Sequence, residues 1–298
     1  MSTGSNLTPG VSRDGGAGHT SVGSGRVVRQ QRVKPGVNSR GVGSGRTSGR
    51  SRPTHDEGRV PSTRGGKPPL EDNQVVRPAL PVDSDAIELD REVRKELLTL
   101  SKGLADLVGS HLVMAGRVLE DDPQLALTHA RFARSKASRI AAVREAVGLA
   151  AYHAGEWSEA LAELRAARRL GGGPGRLAVL ADCERALGRP ERALEIARSP
   201  ESRQLSTDEA VELRIVAAGA RRDLGQFDAA VIALQGPDLA AAGEEPWRAR
   251  LRYAYADNLL AAGRDQDAIR WFLAAAEADA DEATDAAERA VELSERSE

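Results

Sequence analysis

Four glycines, Gly155, Gly188, Gly225 and Gly263, each stand between two stretches in which small and apolar residues recur every three or four positions. That spacing lines one face of an α-helix. Glycine adopts positive φ without strain, so each of the four reads as the turn of a helical hairpin. The clearest copy is Val143 to Leu170. Val143, Ala146, Val147, Ala150, Ala151 and Ala154 form one stripe, and after Gly155 the spacing resumes at Trp157, Ala160, Leu161, Leu164 and Ala167. Two helices folded back on each other bury both stripes.

The hairpin repeats. With Asp121 as the first turn, the turns follow one another at intervals of 34, 33, 37 and 38 residues. Five residues after each turn stands Ala126, Ala160, Ala193, Ala230 or Ala268. Seven before it stands Met114, Gly148, Ala181, Ala218 or Ala256. Apart from Met114 the residues at both places are small and let two helices cross closely, where a larger side chain overpacks the contact at a cost of about 1–3 kcal/mol. The helix ends carry their own signals. Asp122-Pro123 caps and opens the second helix of the first pair, and Ser206 with Glu209 makes a capping box. Helices are expected over Leu89 to Leu100, Lys102 to Glu120, Arg176 to Leu187, Pro190 to Arg198, Thr207 to Leu224 and Phe227 to Leu234. Pro246 is expected to open a fifth pair turning at Gly263. Asp281 to Ser297 should close the stack, with Ala287, Ala290, Val291 and Leu293 inward and its acidic residues outward.

A period near 34 with small residues at both crossing points resembles the tetratricopeptide repeat, over about Gly103 to Ala278. Trp157 and Phe227 just after the turn, and Leu164, Leu234 and Phe272 along the second helix, also fall where that family places apolar residues. The sequence departs from the family pattern in its first unit, which has Asp121 in place of glycine. Arg144 stands where a tryptophan is usual, and the proline that ends each repeat is missing. The stretches LVMAGRVLEDDP and AAYHAGEWSEALAELRAARR are also similar to actinobacterial repeat proteins with variable basic tails. The resemblance implies an all-α chain: an α-solenoid of about five helical hairpins with a C-terminal capping helix.

Ahead of the hairpins the composition changes. The first 80 residues hold 15 of the 30 glycines and only 13 Leu, Ile, Val or Phe, too few to bury a core. Residues 1–82 are therefore expected to be a disordered Gly/Ser/Arg-rich tail, and residues 83–298 the repeat domain. Thirteen Lys and Arg against five Asp and Glu make the first 80 residues basic, while the remainder has 29 against 39. The near-zero net charge of −2 thus conceals a basic tail on an acidic body.

Catalytic constellations are missing from the sequence. It contains no HExxH, CxxC or GxSxG, its five histidines form no pair with a carboxylate in sequence, and Cys183 is the single cysteine. No catalytic residue, cofactor site or metal site is expected. With no apolar run near the roughly 20 residues that span a bilayer, the expectation is a cytoplasmic chain without membrane contact.

Solenoids of this kind hold an extended peptide or partner helix against their first helices. On that register the partner-binding candidates are His111, Glu145, Leu149, Tyr152, His153, Asp182, Arg185, Arg222, Tyr253 and Asp257. The function expected is a non-enzymatic scaffold or adaptor for a protein or peptide partner. The alternative is an RNA- or ribosome-associated protein recruited by its tail, whose arginines can track phosphates by counterion release. All nine aromatics lie from Phe132 onward, so the tail brings charge without base stacking.

Overall fold

A computed structural model describes residues 77–81, 84–171, 173, 175–241, 243, 245 and 247–296. Nearly all of the expected tail, and Pro246, lie outside the described residues. Among the described residues the chain is all-helical, with thirteen α-helices, two short 3-10 helices and no strand. The helices are α1 (Arg91–Leu97), α2 (Lys102–Arg117), α3 (Pro123–Ala137), α4 (Ala141–His153), α5 (Trp157–Arg169), α6 (Leu177–Ala186), α7 (Pro190–Ala197), α8 (Thr207–Asp223), α9 (Phe227–Leu234), α10 (Pro237–Ala240), α11 (Trp247–Ala261), α12 (Asp265–Glu277) and α13 (Ala286–Glu295).

They pair as hairpins: α2 with α3, α4 with α5, α6 with α7, α8 with α9 and α11 with α12. Each first helix also touches the next first helix, α2 to α4, α4 to α6, α6 to α8 and α8 to α11. The turns explain themselves locally. Gly155, Gly188, Gly225 and Gly263 all have φ between 72° and 77°. At each, the glycine N–H donates to the carbonyl three residues back, and the following N–H donates to the carbonyl five residues back, Glu156 to Ala151, Arg189 to Glu184, Gln226 to Arg221 and Arg264 to Leu259, at 2.8–3.0 Å. This paired closure satisfies carbonyls that a helix end would otherwise leave orphaned.

The crossing points are packed without space. Ala126, Ala160, Ala193, Ala230 and Ala268 are all 0% exposed. A Cβ added at Gly148 would stand 2.6 Å from Leu164 Cγ, so the α4–α5 contact requires glycine there. Caps form as the sequence implies: Asp122 accepts from Leu125 N–H at 2.9 Å, and Ser206 and Glu209 make the capping box. The central helix α8 serves two cores. Leu213, Ala217 and Ala220 pack toward α4 to α7, whereas Val211 and Ala218 pack toward α9 to α13.

Two expectations need correction. Of the segment expected as a helix over Leu89 to Leu100, only the seven-residue α1 is helical, and a 3-10 turn at Ala86–Glu88 precedes it. The last helix begins at Ala286, because Asp279 first holds a loop by accepting from the N–H groups of Ala283 and Thr284. Its buried stripe is then Ala286, Ala290 and Leu293, and Ala287 and Val291 face outward. No helix among the described residues is long and apolar enough to cross a membrane.

Candidate functional site

The first helices bring most of the partner-binding candidates into two chains of polar contacts that run from unit to unit. Three residues before its turn glycine, each of three successive units carries a donor: Tyr152, Arg185 and Arg222. Six residues before the turn of the following unit stands its partner position: Asp182, Gly219 and Asp257. Tyr152 donates its hydroxyl to Asp182 Oδ2 at 2.6 Å, and Arg222 pairs with Asp257. Side chains at these two positions meet because the first helices lie side by side.

Between them the rule changes. Gly219 has no carboxylate, and the guanidinium of Arg185 lies over it, 2.7 Å from where its Cβ would be. Arg185 instead reaches one turn further along α8, donating from Nε to Asp223 Oδ2 at 2.8 Å, while Nη1 holds Asp182 at 2.8 Å. The first chain is thus Tyr152, Asp182, Arg185, Asp223. The second begins at Arg222 and continues through Asp257 to Arg289, which also lies near the Tyr253 hydroxyl at 3.3 Å. Tyr253 donates to Asp285 at 2.6 Å, and Arg289 covers the Phe272 ring at 4.9 Å.

The electrostatics follow from this packing. Burial pushes the Tyr152 phenol well above its ordinary range, and the charge of Asp182 adds to the effect. Tyr253 is raised by burial and by its bond to Asp285. Both phenols stay protonated as donors. Burial works against the charge of Arg185, but its bonds to Asp223 and Asp182 outweigh that and hold it protonated. The partly buried, charge-assisted bond of Arg185 to Asp182 is of a kind worth about 1.5–3 kcal/mol, whereas the more open ion pairs, that of Arg185 with Asp223 among them, contribute about 0–1 kcal/mol.

The remaining candidates fall elsewhere. Glu145 accepts from Arg176 Nε at 2.8 Å, a contact from α4 to the residue that precedes α6. Leu149 and His153, one helical turn apart on α4, are half-buried. Burial lowers the His153 pKa, and the edge of the Tyr152 ring meets its ring with centroids 5.8 Å apart. His111 is not on this face. It is wholly buried and shares a hydrogen bond with His129, Nδ1 to Nδ1 at 2.9 Å, between α2 and α3. Burial, the neighbouring His129 and Arg77 lower its pKa to about 4. The His129 pKa is lowered by burial as well, so at neutral pH both imidazoles are neutral and one donates the single proton between the facing nitrogens.

No protein-family model matches the chain, and no curated protein is detectably similar to it.

Sequence reasoning missed Asp223, Arg289, Asp285 and Arg176 as members of these chains. For Asp223 a signal existed: when glycine replaces the acid at the partner position, the next helical turn supplies one. The His111–His129 pair was hidden because residues 18 apart on two helices have no fixed phase in sequence. Cys183 is buried, which pushes its thiol up to about 12, as expected of a residue that serves as core. Among the described residues, no group of three or more His, Cys, Asp or Glu is arranged to hold a metal ion.

Proposed function

We propose that the chain is a non-enzymatic, cytoplasmic adaptor whose hairpins form a tetratricopeptide-like solenoid and whose first helices receive a protein or peptide partner. The observation that carries this reading is the contact of each first helix with the next, joined by the Tyr152–Asp182 and Arg222–Asp257 rungs. Side chains spent on one another fix the spacing of the helices, and a surface of fixed spacing is preorganised for an extended partner. Tyr152, Asp182, Arg185, Arg222, Tyr253 and Asp257 on this reading set the shape of the face. Leu149 and His153 are the candidates left to touch the partner.

The test is affinity capture from lysate with wild-type protein and a Leu149→Arg/His153→Glu variant. Both positions are half-exposed, so the variant should keep its melting temperature within a few degrees while specific partners are lost. Partners retained unchanged by a folded variant would count against this face. The excess of basic residues in the tail supports the second reading, contact with RNA or ribosomes. On that reading, removing residues 1–82 abolishes co-sedimentation with RNA, which falls steeply with salt while the tail is present. Co-sedimentation that survives the deletion would reject it.

A further inference from the structure

The hairpins α6–α7 and α8–α9 have second helices of only eight residues, against thirteen in α5 and α12. Where α7 stops, one stripe of α8 borders an opening, with Ala210, Arg214 and Arg221 exposed or partly exposed and the buried Leu213 and Ala217 between them, spaced along successive turns. Together with Leu194, Ala197, Arg198 and Ser202 on one side and Ala233 on the other, this stripe lines a cleft of about 300 Å³. Small pockets that take metabolite-sized ligands begin at about this volume.

The polar lining is one-sided. Three arginines face the cleft, and among the described residues no carboxylate lines it. Arg214 is half neutralised, holding Asp238 at 3.1 Å through one Nη while its Nε is buried with no hydrogen-bond partner among the described residues. Arg221 has no ion pair among the described residues, and its hydrogen bond is a long one of 3.4 Å to the Ala217 carbonyl of its own helix. Arg198, at the end of α7, likewise has no ion pair among them. Other partly buried arginines have their charge answered, Arg131, Arg134, Arg144 and Arg250 by carboxylates and Arg252 by the carbonyls of Ala241 and Ala274. Burial and the proximity of Arg198 lower the pKa of Arg221, so the site concentrates positive charge that its own walls leave uncompensated.

We propose that this cleft binds a phosphate monoester, carried either by a small metabolite or by a phosphorylated side chain. Two uncompensated guanidiniums match the charge of about −1.5 to −2 that a monoester carries at neutral pH. Their planar forks suit paired hydrogen bonds to its oxygens better than a lysine ammonium would. The alanine and leucine walls lower the polarity on one side of the cleft and strengthen those bonds relative to open water. The cleft lies on α7, α8 and α9, apart from Leu149 and His153, and does not depend on what the first helices bind.

The experiment uses the full-length protein with inorganic phosphate, O-phosphoserine, a phosphoserine peptide and unphosphorylated serine, followed by calorimetry and thermal unfolding. Sodium chloride at matched ionic strength is the control. Saturable binding of the phosphorylated probes, with no response to serine or chloride, is expected. Tighter binding of the peptide than of the free amino acid assigns a phosphorylated partner, and equal binding assigns a metabolite. Arg221→Met should weaken binding at least about tenfold, the cost of one charged contact, while its ligand-free melting temperature stays at or above that of wild type. If Arg221 serves only the end of its own helix, the variant melts lower and binds as before, which overturns the proposal. Arg198→Gln, at the rim of the cleft, supplies the same test should Arg221→Met fold poorly. A response to chloride equal to that to phosphate also overturns it.

Discussion

The α4–α5 and α6–α7 hairpins share one turn and one crossing pattern, yet they finish differently. In α4–α5 both helices have thirteen residues, and Leu164 fills the space opposite Gly148. In α6–α7 the second helix starts at Pro190 and ends at Ala197 after eight residues, and the adjoining stripe of α8 is left beside a cleft. The turn geometry is therefore independent of how much surface the second helix covers. A closed hairpin contributes core, and a shortened one contributes a lined opening.

The largest test of this difference lies in two leucines. Leu164 is 2% exposed in a closed hairpin, and Leu194 is 7% exposed at the rim of the cleft. Leu→Ala in a core costs about 2–5 kcal/mol, with the spread set by how far the surroundings relax into the space. Leu164→Ala should fall near about 4 kcal/mol, since Gly148 and Ala160 hold the helices at fixed distance. Leu194→Ala should fall near about 2 kcal/mol, because its removal only enlarges an existing opening. Urea denaturation midpoints measure both, and equal losses would mean that the cleft is as tightly packed as the closed hairpin.

Acidification should separate the regions next. The α2–α3 hairpin buries two neutral histidines, whereas α6 to α9 hold arginines that keep their protons throughout. His111 in the folded chain titrates at about 4 and His129 is also lowered, while an unfolded histidine titrates near 6.5. The unfolded state therefore binds more protons between these values. The stabilisation from keeping His111 neutral is complete above pH 6.5 and is lost as pH falls toward 4, by roughly 2 kcal/mol at pH 5. Denaturation at pH 7.5 and pH 5 should show the loss in wild type and a smaller one in His111→Leu/His129→Leu, in which both partners of the buried bond are removed together. An equal loss in the double variant would place the sensitive groups elsewhere.

How much of this was legible in the sequence follows from the range of each interaction. Turns and caps are written within a few residues, so the glycine turns, Asp122 and the Ser206–Glu209 box could be read directly. Crossing points repeat with the period, which made Ala126, Ala160, Ala193, Ala230 and Ala268 readable as packed. The rungs between units were half legible: Tyr152, Asp182, Arg222 and Asp257 could be placed on one face, but a free surface and a self-paired one have the same periodicity. The phase of α13 was misread because the Asp279 loop delays its start. The histidine pair and the arginine cleft depend on the mutual rotation of packed helices and on where a second helix stops, and neither has a local signature.

The smallest expected effect distinguishes the two glycines of these regions. At Gly148 an added Cβ would meet Leu164 at Cγ and, at 3.2 Å, at its backbone nitrogen, neither of which can give way without moving α5. At Gly219 it would meet the guanidinium of Arg185 at 2.7–2.9 Å, the far end of a flexible side chain. Alanine is the better helix former by about 0.8–1.0 kcal/mol, and the Arg185–Asp223 pair that it displaces is worth about 0–1 kcal/mol. Gly219→Ala should thus change stability by only about −0.2 to +1.0 kcal/mol. A double-mutant cycle checks the cause, because Asp223→Asn should lower stability in wild type and have no effect once the added methyl group has moved Arg185 aside. If the coupling survives in Gly219→Ala, Arg185 has kept its place, and the missing acid at Gly219 is not what directs Arg185 to Asp223.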